Sequence, residues 1–72
     1  MIKKLDNKSK AQVGEEILFT RQDKEHEGIV YKVQDNSVLV VISNESKVYL
    51  GYETNNTVVA HKNYFVLRPA KR

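Results

Sequence analysis

The chain has 72 residues, with 12 Lys and Arg against 9 Asp and Glu and a formal charge of +3, a length that suits one domain. A domain this small removes only about 60% of its unfolded surface from water, so one compact core is all it can build. There is no cysteine, which excludes disulfides and thiolate–metal staples and fits a cytoplasmic location, and the longest unbroken apolar run, Val38 to Ile42, is far too short to span a membrane.

Residues 1–12 read as a loosely structured basic arm, since MIKKLDNKSK has lysines but no apolar core of a signal peptide. Without a secretion signal, the Asn-x-Ser/Thr triplets at Asn7, Asn44 and Asn55 are expected to be accidental. Val13-Gly14-Glu15-Glu16 leads into a first strand at Ile17 to Thr20, where β-branched and aromatic residues at period two favour a strand over a helix. Residues Gln22 to Glu27 are expected to form a charged loop. Gly28 to Val33 is a second strand, Gln34-Asp35-Asn36-Ser37 a tight turn, and Val38 to Ile42 a third strand. Ser43 to Lys47 reads as a further polar turn, and VYLGY (residues 48–52) as a short apolar segment on a sheet edge. After a loop at Glu53 to Asn56, Thr57 to His61 is a strong strand, Lys62-Asn63 a turn and Tyr64 to Leu67 the last strand, ended by Pro69.

Five or six short strands with no convincing helix predict an all-β domain, and closure into a small curled barrel removes most exposed edges. Ile17 and Phe19 are expected to face inward with Val13. Val30 and Val33 are three apart, so a bulge between them is needed for both to point inward. Val38, Val40 and Ile42 form the inner face of the third strand, which leaves Leu39 and Val41 on the outer one. They are expected to be covered by VYLGY, by the N-terminal arm or by a second subunit, or else to be left exposed.

Val13-Gly14-Glu15-x-Ile17-x-Phe19, Gly28-x-Val30-x-x-Val33 and Val38-x-Val40 together resemble a KOW motif, found in SH3-like barrels of ribosomal proteins and transcription elongation factors. Thr57 to Tyr64 resembles the strand, one-turn 3₁₀ helix and final strand that close such a barrel. Over residues 12–67 the chain is similar to the YkvS-like family of small uncharacterised Gram-positive bacterial proteins. The resemblance implies an SH3-like, KOW-type barrel of about five antiparallel strands over residues 13–68, between the arm at 1–12 and a basic tail at 69–72. In the motif, the glycine would permit a close turn into the second strand and the spaced valines would fill the barrel. The resemblance brings no established site residues. The tryptophan and ALYDY-like segment of peptide-binding SH3 domains are missing, which argues against recognition of proline-rich peptides.

No nucleophile motif or phosphate-cradling glycine loop is present, and Gly14, Gly28 and Gly51 are dispersed. His26 lies among charged residues and His61 ends a strand, without the ligand spacing that zinc requires. Glu15 and Glu16 are adjacent and fall on opposite faces of a strand, which is poor geometry for an acid–base pair. The expectation is a non-enzyme with no cofactor, no metal, no small-molecule substrate and no membrane association.

Charge is segregated along the chain: residues 1–12 and 62–72 are basic, whereas 13–61 are acidic on balance. The family analogy favours RNA or DNA as partner, contacted by Tyr31, Lys32, Lys62, Arg68, Lys71 and Arg72, with tyrosines stacking and cations neutralising phosphates. The competing expectation is a protein-interaction or homodimeric module that uses an apolar face of Leu39, Val41, Tyr49 and Tyr52.

Overall fold

Two antiparallel hairpins in series set the architecture. β1 (Glu16–Arg21) pairs with β2 (Lys24–Val33), and β2 pairs with β3 (Ser37–Ile42). The computed structural model describes residues 10–68. A short helix, α1 (Asn44–Leu50), follows β3. The chain then runs through β4 (Asn56–Ala60), a one-turn 3₁₀ helix (His61–Asn63) and β5 (Tyr64–Arg68). All five strands form one antiparallel sheet in the order β4-β3-β2-β1-β5.

The predicted charged loop at Gln22 to Glu27 is replaced by a two-residue turn. Gln22 and Asp23 both adopt positive φ (54° and 63°), the pattern of a type I′ hairpin, and Lys24 to Glu27 already belong to β2. The loop reading fails because Glu25 and Glu27 point to the solvent face while His26, between them, points inward. This is ordinary strand alternation with a polar outer side.

The polar turn expected at Ser43 to Lys47 and the first three residues of VYLGY form the helix α1 instead, with Gly51 and Tyr52 beyond its end. Ser43 is extended and its side chain accepts the Ser46 amide at 3.1 Å, a side-chain N-cap. Gly51 ends the helix in the left-handed region (φ 76°, ψ 25°), where its amide and that of Tyr52 close onto the Lys47 and Val48 carbonyls. Both caps outweigh the β-propensity of Val48 and Tyr49.

The core consists of Ile17 and Phe19 from β1, Val30 from β2, Val38, Val40 and Ile42 from β3, Val59 from β4, Leu50 of α1, and Ala11. Val13 is solvent-exposed, so it does not share the inner face; Ala11 fills that place two residues earlier. The pairing register shifts between Val30 and Lys32, the expected bulge, which lets Val30 and Val33 both turn inward. Gly28 lies in the middle of β2, opposite Ile17 and Ile42, rather than at a turn. A Cβ there would come within 2.9 Å of Val40 Cγ2, so glycine is required by the close approach of β3.

The sheet is curled into a barrel-like shape. In a flat sheet, β1 and β4 would lie about 14 Å apart, at 4.8 Å per strand. Instead Arg21, at the end of β1, donates from Nη1 to Thr57 Oγ1 (2.9 Å) and from Nη2 to the Val58 carbonyl (3.0 Å), both on β4. At the opposite end, a chain of hydrogen bonds joins three separate segments. The Ala11 amide donates to Tyr64 Oη (2.9 Å), Tyr64 Oη meets His61 Nδ1 (2.8 Å), and His61 Nε2 meets the Gln34 carbonyl (2.8 Å). A carbonyl only accepts, so Nε2 carries the proton and Nδ1 accepts from Tyr64. Residues 10–12 are therefore tied to the domain rather than part of a loose arm; residues 1–9 lie outside the described residues.

Candidate interaction surface

The side of the sheet turned away from the core carries the candidate site, and strand register determines what lies on it. Paired residues of antiparallel strands share a face. One row across the sheet is therefore Glu16, Ile29, Val41 and Asn56. The next row toward the β2–β3 turn is Lys32, Leu39 and Val58. The row on the other side is Phe65, Leu18 and Glu27. Ile29, Val41 and Val58 are each close to half exposed (48%, 43% and 50%), whereas Leu18 and Leu39 are partly buried.

Tyr31 occupies the bulge and extends across this face. Its hydroxyl accepts from Asn56 Nδ2 at 3.1 Å. Because β3 lies between β2 and β4, the ring must pass over β3 to reach Asn56. Tyr31 is thus an intramolecular cover for the outer side of β3, although it leaves Val41 open. Sequence reasoning placed Leu39 and Val41 on the outer face and missed this cover, for which the only sequence signal is a bulky residue beside the expected bulge.

Toward the β1–β2 turn, the same face deepens into a groove of about 680 Å³. Leu18, Ile29 and Val41 line it, interspersed with Glu16, Lys24, Glu25, Glu27 and Glu45.

Tyr49 and Tyr52 do not join Leu39 and Val41. Tyr49 packs on His26 (ring centroids 5.6 Å apart), lies near Lys24 Nζ and donates to the Gln22 carbonyl at 2.9 Å. The Tyr52 hydroxyl accepts from Arg21 Nη1 at 2.9 Å. These two tyrosines dock α1 and its exit onto the barrel end, a structural task.

His26, read as a loop residue, is buried. Its Nδ1 lies 2.8 Å from Ser46 Oγ and its Nε2 lies 3.2 Å from the Arg21 carbonyl, so Nε2 donates and Nδ1 accepts the serine hydroxyl. Each ring nitrogen of His26 and of His61 is therefore engaged by the protein itself. Among the described residues, no group of three His, Asp or Glu side chains is placed to hold a metal ion, and every buried side-chain polar atom has a partner.

The residues expected to contact nucleic acid are dispersed. Tyr31 and Lys32 are on the outer face of β2, Lys62 is on the 3₁₀ turn, and Arg68 ends β5 opposite Glu16. Lys71 and Arg72 lie outside the described residues.

The fold and its surface define a small all-β barrel-like domain with a half-exposed apolar sheet face. Residues 9–67, most of the chain, match the family described as "Uncharacterized protein conserved in bacteria (DUF2187)", and the chain belongs to that family. No curated protein and no solved structure matches the chain significantly. Among the described residues, no helix is long and apolar enough to cross a membrane.

Proposed function

We propose that the domain is a non-enzymatic, cytoplasmic binding module, an SH3-like barrel of the KOW type related to the YkvS-like proteins, and that it engages a protein partner through the outer face of β1–β4. The observation that carries this reading is the direct pairing of Ile29 with Val41, both near half exposed, with the half-exposed Val58 one row away on β4. Contiguous apolar surface bordered by charged residues is the usual mark of a protein contact. The engagement of both histidines within the fold supports the non-enzymatic part.

The nucleic-acid reading ranks second. Its support is the KOW resemblance together with Lys32 beside Tyr31. Against it, a phosphate backbone laid along this face would meet Glu16, Glu25 and Glu27, and the Tyr31 hydroxyl already holds Asn56.

The test is a photo-crosslinking phenylalanine at position 41, with position 48 on the exposed side of α1 as control, irradiated in living cells. A protease-sensitive, nuclease-resistant adduct at 41, lost with Ile29→Glu and absent at 48, is the expected result. A nuclease-sensitive adduct, or equal labelling at both positions, overturns the reading.

A further inference from the structure

The outer face is complementary to itself, and its charge pattern selects one geometry. Along β2 the outward residues run from acidic to apolar to basic: Glu25 and Glu27, then Ile29, then Tyr31 and Lys32. Glu27 and Lys32 occupy the rows on either side of the Ile29–Val41 row, each about 7 Å from it along the strand. Both are exposed.

Two stackings place this face against a second copy of itself about a two-fold axis lying in the interface. With the axis parallel to the strands, each row meets itself, so Glu27 and Lys32 stay in separate rows. With the axis perpendicular to the strands, each strand lies over its own copy in reverse. The row before Ile29 then meets the row after it. The second arrangement alone sets Glu27 against Lys32, twice, around Ile29 and Val41, while Glu16 at the β1 end of the central row meets its own copy.

We infer that the occupant of the outer face is a second copy of this chain, packed face to face about an axis perpendicular to the strands near Ile29 and Val41. Glu27 of each copy then pairs with Lys32 of the other. This inference rests on reading the outer face as a binding surface, and it adds the identity of the partner and the register. A two-fold contact uses the same patch twice, so each favourable pair occurs twice. Aligned packing of two such sheets keeps their strands within about 30° of one another, which suits a strand-over-strand arrangement.

The experiment is sedimentation equilibrium of the full chain and four sets of variants. The unaltered chain should dimerise. Glu27→Lys and Lys32→Glu should each weaken association at least about tenfold, since each creates two like-charge contacts. The double variant Glu27→Lys with Lys32→Glu should restore it. Ile29→Glu should abolish association, and Val48→Glu on α1 should leave it unchanged. All substituted positions are exposed, and an unchanged amide spectrum confirms that the fold survives. A chain that stays monomeric at about 1 mM, or a double variant no tighter than the singles, overturns the inference. The crosslink at position 41 separates the two failures: an adduct with a different protein leaves the binding surface standing and removes only the second copy.

Discussion

Arg21 Nη2 lies 3.0 Å from the carbonyl of Val58, a bond between two strands that are not neighbours in the sheet. The same guanidinium reaches Thr57 and Tyr52 and sits 5.0 Å from the Phe19 ring centroid. A single side chain therefore joins β1, β4 and the segment after α1, and it occupies an outward carbonyl on an edge strand that would otherwise be open to another chain.

Arg21→Met should lower stability by about 2–3 kcal/mol, because several charge-assisted hydrogen bonds are lost together. Arg21→Lys should recover only part of this, since an ammonium cannot reproduce the planar fork that serves three acceptors. Urea midpoints check both; equal stability of the Met variant and the parent would show that the clasp contributes nothing.

Gly28→Ala should cost about 1–3 kcal/mol, the range for overpacking a filled core. The added methyl meets Val40 Cγ2 at 2.9 Å and Val40 Cβ at 3.0 Å, and both belong to a buried β-branched side chain. Combining it with Val40→Ala should cost less than the sum of the two single changes, because the smaller neighbour frees the space. Strict additivity in thermal or urea unfolding would place the cost elsewhere.

The β1–β2 turn holds two non-glycine residues at positive φ, Gln22 and Asp23. Replacing them with Asn-Gly, the preferred pair for a type I′ turn, should raise stability by about 1 kcal/mol without altering the rest of the domain. The Tyr49 bond to the Gln22 carbonyl uses backbone only and is retained. A lower melting temperature for this variant contradicts the turn assignment.

Ser46→Ala should cost about 1–3 kcal/mol, since it leaves His26 Nδ1 buried without its partner. Gly51→Ala should cost about 1 kcal/mol by forcing an alanine to φ 76°. Hydrogen exchange separates their effects: Ser46→Ala should accelerate exchange in α1 and at the adjoining end of β2, whereas Gly51→Ala should act on the last turn of α1.

Much of the barrel was legible because its signals are local. Ile17 and Phe19 alternate strictly, Val38, Val40 and Ile42 repeat at period two, and the three-residue spacing of Val30 and Val33 announced the bulge. The helix was missed because its identity lies in its caps: Ser43 and Gly51 decide it, while Val48, Tyr49 and Leu50 read equally well as strand. His26 was misplaced because two glutamates flank it, and acidic neighbours in sequence say nothing about which side of a strand a residue faces once the alternation is overlooked. Ala11 could not be assigned from pattern, since its burial depends on Tyr64, 53 residues away. For the candidate surface, the outward placement of Leu39 and Val41 followed from alternation. The separation of Tyr49 and Tyr52 from them depended on the helix that sequence did not reveal.

The pairing of the first strand with the last also has a consequence in time. During synthesis β1, β2 and β3 precede residues 64–68, so one side of β1 stays without its partner until those residues have been made. The latch from Ala11 to Tyr64 closes at the same late moment. A nascent chain stalled anywhere before Tyr64 would present an apolar strand edge to its surroundings, the kind of surface that recruits folding helpers or neighbouring chains. The codons for residues 64–68 therefore decide whether the closed sheet or an open-edged intermediate forms.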